Sequence, residues 1–96
     1  MIVTFGDKTT EDVFHGMDSK HARRLPQNVV TMAVQKLDMI NAASTLQDLR
    51  SPPSNHLEQL KGSLKGMHSI RVNMQYRIVF IWQDGMALEV QIVDYH

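Results

Sequence analysis

The chain has no cysteine. That excludes a disulfide framework, a thiolate metal site and a cysteine nucleophile together. No apolar run reaches about 18 residues, so no segment reads as a transmembrane helix. There is no excess of either charge, since ten Lys and Arg stand against ten Asp and Glu. As a sum, this argues against a general nucleic-acid binder, because phosphate binding usually leaves a basic excess. A Gly-x-Ser-x-Gly elbow and a Gly-rich phosphate loop are both missing. The five histidines (His15, His21, His56, His68 and His96) lack the i, i+4 spacing of a helical metal site, so no metal and no cofactor is expected. Residues 1–7 show no basic stretch leading into a long apolar one. No signal peptide is read there, and the expected location is the cytoplasm, with no membrane partner.

What remains is ordinary globular material. The 96 residues are 43% hydrophobic and 21% charged, which fits one domain over residues 1–96 and excludes a disordered or fibrous chain. The zero net charge hides a segregated pattern. Residues 1–19 carry a net −3, residues 20–36 carry +4, and residues 37–55 carry −1. Residues 56–77 carry +3 and residues 78–96 carry −3. Blocks of this kind are either solvated faces or partner surfaces.

Ile2, Val3 and Phe5 predict a short first strand. Asp7 is placed to cap a short helix through Val13 and Phe14, stopped by Gly16. Residues Met17–Arg24 read as loop. Pro26 suits the first turn of a second helix, in which Val29, Ala33, Leu37 and Ile40 form one apolar stripe at helical period to about Ala43. Leu46 and Leu49 suggest a further turn, and the run from Ser51 to Asn55 breaks the pattern. Beyond it the period changes to two. Ile70 and Val72, then Ile78, Phe80 and Trp82, then Leu88, Val90 and Ile92 alternate with other residues, separated at hairpin spacing. Residues 57–60 suggest one more strand. The expected class is α+β: a short N-terminal strand and two helices packed on an antiparallel sheet of about four to five strands.

Covalent catalysis without Cys would fall to Ser, Thr, Lys or a carboxylate. The ending Asp94-Tyr95-His96 places three different polar groups after the last predicted strand. Metal-free RNA cleavage must deprotonate a 2′-hydroxyl, stabilise the phosphorane, protonate the leaving 5′-oxygen and hold the base in line. Glu58, Lys61, Arg77, Tyr95 and His96 could together meet those needs. The alternatives are plain. Lys61 is also a solvated turn lysine, and Arg71 and Arg77 are also outward strand residues or partners of Glu89. His68 is also a half-buried sheet residue, and the polar ending is also a frayed terminus.

The run Leu60-Lys61-Gly62, Ser69-Ile70-Arg71-Val72-Asn73 and Gln75-Tyr76-Arg77, closed by Asp94-Tyr95-His96, resembles the HigB toxins of the RelE/ParE superfamily, also called plasmid maintenance killer proteins. Phe5-x-Asp7-Lys8, Arg24-Leu25-Pro26, Asn41-Ala42-Ala43 and Asp48-Leu49-Arg50-x-Pro52-Pro53 extend the resemblance over the full chain. It implies a RelE-like toxin that cuts mRNA in the A site of the 70S ribosome without a metal. The same resemblance implies neutralisation by a HigA-type helix-turn-helix antitoxin, with operator DNA reached only through that partner. Lys61, Arg77, Asp94, Tyr95 and His96 fall on the family's active-site positions. His96 would be the leading general acid or base, Lys61 and Arg77 would hold the scissile phosphate, Tyr95 would stack on the nucleotide, and Asp94 would orient its neighbours. Glu58, Lys65, His68 and Arg71 are the accompanying substrate-binding candidates. Glu58 stands where some members have His. Met67 and His68 replace a polar residue and a large aromatic, and Met74 replaces a frequent Asp. Two other readings stay open: a ParE-like gyrase inhibitor on the same fold, and a non-catalytic member kept for antitoxin binding.

A neutral toxin that works inside the ribosome needs little affinity for free RNA. Binding to naked RNA should therefore be weak and depend only shallowly on salt, because the electrostatic part scales with phosphates neutralised. A salt titration of fluorescently labelled RNA checks this; tight, steeply salt-sensitive binding would contradict it.

Overall fold

The computed structural model describes residues 1–62 and 66–95. Helix α1 spans Lys8–Phe14. Asp7 caps it as expected, its Oδ1 accepting the Thr10 N–H at 2.7 Å, which pairs one of the donors a helix start leaves open. Helix α2 spans Gln27–Ala42 and buries Val29, Ala33, Leu37 and Ile40, the stripe read from the sequence. The segment between the helices is not all loop, since Ala22–Arg24 forms a 3-10 turn. Ser19 organises it by accepting the Ala22 N–H at 3.0 Å and donating to Asp12 Oδ2 at 2.6 Å. Asp12 is buried and also lies 3.3 Å from Lys8 Nζ. Further 3-10 turns cover Leu46–Arg50 and Pro53–Asn55.

The sheet follows as a meander. Strand β1 is Glu58–Gln59, β2 is Met67–Arg71, β3 is Tyr76–Gln83 and β4 is Met86–Asp94. They lie in the order β1-β2-β3-β4, each neighbour antiparallel. The predicted N-terminal strand is reduced to two isolated bridges, Ile2 with Ala87 and Phe5 with Val90, both parallel to β4. The reason is a bulge in β4. Register shifts between Val79 and Ile81, and Glu89 sits opposite that shift with φ of 53°, so a continuous ladder cannot run past it. Backbone bonds join Met1 and Val3 to Ala87, and Thr4 and Gly6 to Val90, and side chains complete the edge between and beyond them. Thr4 Oγ1 accepts the Glu89 N–H and Thr10 Oγ1 accepts the Ile92 N–H, both at 2.8 Å.

The bulge also corrects the expected alternation in β4. Val90 and Ile92 are buried as read, but beyond the bulge the inward position passes from Leu88 to Ala87. One extra residue on one strand exchanges the two faces. Ile70, Ile78, Phe80, Ala87 and Val90 thus share one face with the buried stripe of α2. Ser69, Arg71, Arg77 and Val79 project from the other face, as cross-strand pairing requires.

His68 belongs to the helix-covered face. It pairs with Phe80, its ring stacks on the Phe80 ring at 6.2 Å, and Trp82 meets Phe80 edge-on at 6.4 Å. Its Nδ1 is buried without a hydrogen-bond partner among the described residues. Burial lowers the His68 pKa below the usual 6.5 because the charged form is disfavoured there. Below pH 6.5 the unfolded chain takes up a proton that the folded chain resists, so stability is complete above that value and declines as pH falls through the folded pKa. The Asp12 and Asp48 carboxyls, held below their ordinary range of 3.8 by the Ser19 hydroxyl and by the Thr45 and Ser44 N–H groups, respond only in stronger acid. Urea unfolding across this range should show a decline below pH 6.5 that His68→Phe flattens; an identical decline in the variant would contradict the assignment.

Candidate functional site

The helix-free face of the sheet holds an unusual cation. Arg77, at the start of β3, is 5% exposed. Its Nε donates to Ser69 Oγ at 2.9 Å. Its Nη2 donates to the His56 carbonyl at 2.6 Å and, more distantly, to the Ser69 carbonyl at 3.4 Å. The guanidinium carbon lies 5.7 Å from the centre of the Tyr95 ring. No ion pair among the described residues involves Arg77. The expected alternative, pairing with Glu89, does not occur, because Glu89 sits exposed at the bulge.

Magnitudes show how this charge is tolerated. An ion taken out of water loses several kcal/mol even after relaxation (order of magnitude). A hydrogen bond to a charged group returns about 1.5–3 kcal/mol, and a ring face adds about 0.5–2 kcal/mol. Two short bonds, one long bond and the Tyr95 ring therefore offset the burial without neutralising the charge. Nη1 is left without a partner among the described residues. A cation held in this way is prepared for an anion, and a phosphate matches its fork.

The local structure explains how the acceptors arrive. Ser69 is a neighbour of Arg77 through the β2–β3 register, where Arg71 pairs with Arg77 and Ser69 with Val79. His56 ends the Pro53–Asn55 turn in the left-handed region, at φ 45° and ψ 56°. For a residue with a side chain this conformation costs roughly 1–2 kcal/mol, which the charged bond to its carbonyl offsets.

The other sequence candidates are distributed unevenly. Arg71 lies directly across from Arg77 on the same face. Glu58 pairs with Ser69 and so shares that face at the exposed edge. Tyr95 covers Arg77 and is 46% exposed. Asp94 pairs with Tyr76 and accepts from Gln75 Nε2 at 3.1 Å, while the Gln75 carbonyl accepts the Tyr95 N–H at 2.7 Å. The hairpin turn thus fixes the terminal segment. Lys61 is exposed just past β1, beside Gly62 at φ 70°. The Leu60 N–H bonds to the Met67 carbonyl, so Lys61 sits at least four residues along the sheet from the Arg71–Arg77 row. At about 3.3 Å per residue that is roughly 13 Å. His68 faces the helices, away from Arg77. Lys65 and His96 lie outside the described residues. Sequence reasoning missed Ser69, His56 and Asn55 as supports. The only available signal was the small polar Ser69 on the same strand parity as Arg71.

Two cavities flank other parts of the molecule. The larger, about 520 Å³, opens between the helices and is lined by Val13, Met17, Leu25, Val30 and Val34 with Asp18 and Arg23. Those last two are paired at 2.8 Å, so the cavity offers no uncompensated charge. A smaller one, about 240 Å³, is lined by Gln59, Leu60, Lys61 and Gly62.

Comparison with known proteins assigns the chain to a family. Residues 3–96 match the family described as the RelE-like toxin of the type II toxin–antitoxin system HigB. Toxin HigB-1 of Vibrio cholerae serotype O1 is 42% identical over 92 residues, covering 96% of this chain and 95% of that one. An uncharacterised Haemophilus influenzae protein is 41% identical over 72 residues, 75% of this chain and 70% of its own. Among solved structures, the YoeB–YefM complex from Staphylococcus aureus superposes with a TM-score of 0.63 at 18% identity, covering 100% of this chain and 98% of that one. The YoeB dimer from Staphylococcus aureus gives 0.62 at 24% identity, covering 99% and 94%. The structural likenesses carry the fold alone. The family match and the Vibrio relative carry the assignment: this chain belongs to the HigB group of RelE-like toxins of type II toxin–antitoxin systems.

Proposed function

We propose that the chain, as one toxin domain over residues 1–96, is a ribosome-dependent mRNA endonuclease that cuts without a metal and halts translation. The observation that carries this reading is the buried guanidinium of Arg77, without an ion pair among the described residues, beneath a half-exposed tyrosine. In the proposed reaction the 2′-hydroxyl loses its proton and its oxygen attacks the adjacent phosphorus. The bond from phosphorus to the 5′-oxygen breaks, that oxygen takes up a proton, and a 2′,3′-cyclic phosphate remains. Arg77 Nη1, with Nη2 and Nε already anchored, holds a phosphate oxygen as charge develops, which is where a fixed donor contributes most. Tyr95 presents its exposed ring to a base. His96 acts as general acid or base, Asp94 orients it, and Lys61 approaches the phosphate from the other end of the sheet. Arg71 and Glu58, on the face of Arg77, contact the flanking nucleotides.

The partner is a HigA-type helix-turn-helix antitoxin. Support comes from the family's place in toxin–antitoxin systems and from the structural neighbour solved as a YoeB–YefM complex. No helix among the described residues is long and apolar enough to cross a membrane.

Arg77→Ala should lower cleavage of a translated message by about 10²–10³-fold, the loss seen when one donor to a developing charge is removed. Arg77→Ala together with His96→Ala should abolish growth arrest on induced expression. Message integrity followed in the first minutes after induction checks both. Undiminished toxicity in the double variant, or DNA breaks with intact mRNA, would sink this reading.

A further inference from the structure

Asn55 is fully buried, and every polar atom of its side chain is engaged. Its Oδ1 accepts Lys36 Nζ from α2 at 2.6 Å. Its Nδ2 donates to the Leu49 carbonyl at 3.1 Å and, at longer range, to the Ser51 carbonyl at 3.4 Å. Met39 Sδ, also on α2, lies 3.8 Å from Nδ2. One side chain thereby joins the second helix to both ends of the breaker segment. The next residue is His56, left-handed at φ 45° and the source of the 2.6 Å carbonyl bond to Arg77 Nη2. A residue with a side chain keeps that conformation only where its surroundings over-determine it. The surroundings here are the Asn55 anchor on one side and Arg77 on the other.

We infer that Asn55, braced by Lys36, is a positioning residue. It fixes the left-handed turn at His56 and so aims the carbonyl that orients the Arg77 guanidinium. This rests on the proposed role of Arg77 at the scissile phosphate. Lys36 counts in the sequence as part of a basic stretch, yet its ammonium is committed to Asn55 from a half-buried position. The path runs from α2 through Lys36, Asn55 and His56 to Arg77, and each step is a hydrogen bond or a peptide link. The guanidinium has one other anchoring residue, Ser69. Loss of the His56 carbonyl would therefore leave the guanidinium hydrogen-bonded, among the described residues, to Ser69 alone, with its shortest Nη2 bond gone.

Asn55→Asp keeps the acceptor for Lys36 but sets a carboxylate oxygen against two carbonyls. Lys36→Met removes the brace from the other side, at a half-buried position. The full-length chain should be compared in single-turnover cleavage on programmed ribosomes, with the Arg77 Nε–H resonance recorded in the free protein. Asn55→Asp should slow cleavage by between about 10- and 100-fold, as misplacement of a reacting group by a distant change does, with ribosome affinity unchanged. It should add nothing to Arg77→Ala. The Arg77 Nε–H resonance should move in Asn55→Asp and, by less, in Lys36→Met. An unmoved resonance in the folded variants overturns the inference, as do losses that multiply with Arg77→Ala. Should Asn55→Asp fail to fold, Lys36→Met decides alone by the same resonance. If Arg77→Ala cleaves like the parent, the phosphate role fails, but the resonance still decides whether Asn55 positions Arg77.

Discussion

A guanidinium taken almost wholly out of water, with no carboxylate beside it among the described residues, sets the terms for the rest of this molecule. Arg77 is 5% exposed and held by two residues from different elements. Structural arginines at such burial are normally paired, because an unpaired ion is expensive to bury. Here hydrogen bonds and a tyrosine ring offset the expense and leave the charge unspent. Each acceptor requires a particular piece of fold. Ser69 needs the β2–β3 register. His56 needs a left-handed turn, and that turn needs the buried amide of Asn55 against α2. Tyr95 needs the end of β4, tied to the β2–β3 hairpin through Gln75.

The same logic explains the opposite edge of the sheet. β4 receives the N-terminal segment without becoming part of a regular ladder, because the bulge at Glu89 interrupts it. Thr4 and Thr10 supply the missing acceptors from their side chains. A buried N–H left unpaired would cost about 1–3 kcal/mol, so the Thr10 acceptor for the buried Ile92 N–H adds to the backbone bonds that the N-terminal segment makes with Ala87 and Val90. The edge is closed and α2 is fixed on the face of the sheet opposite Arg77.

Features decided within one turn or one strand were legible in the sequence. The Asp7 cap and the stripe of Val29, Ala33, Leu37 and Ile40 follow from local rules, and the structure places them as read. What depended on distant contacts was not. The exchange of Leu88 for Ala87 comes from a bulge whose N–H is received by Thr4, 85 residues away. The burial of Arg77 depends on a carbonyl 21 residues earlier, and alternation alone would place such a side chain in water. His68 was legible by parity with Ile70, but the resemblance, which has a large aromatic at this position, drew it in among the substrate-binding candidates. The separation of Lys61 from Arg77 follows from a two-residue strand whose register no local pattern specifies.

Neutrality now has a physical meaning. The basic stretches contain one cation buried under Tyr95, one turned inward to Asn55 and one paired with Asp18, which reduces the charge offered to free RNA. On the proposed reading, the ribosome brings the substrate to Arg77. The most direct measurement is a structure of the toxin on a ribosome programmed with mRNA whose attacking 2′-oxygen is methylated. A scissile phosphate oxygen is expected within hydrogen-bond distance of Arg77 Nη1, with the Ser69 and His56 bonds intact. A phosphate bound away from Arg77, with the guanidinium bonded only within the protein, would contradict it.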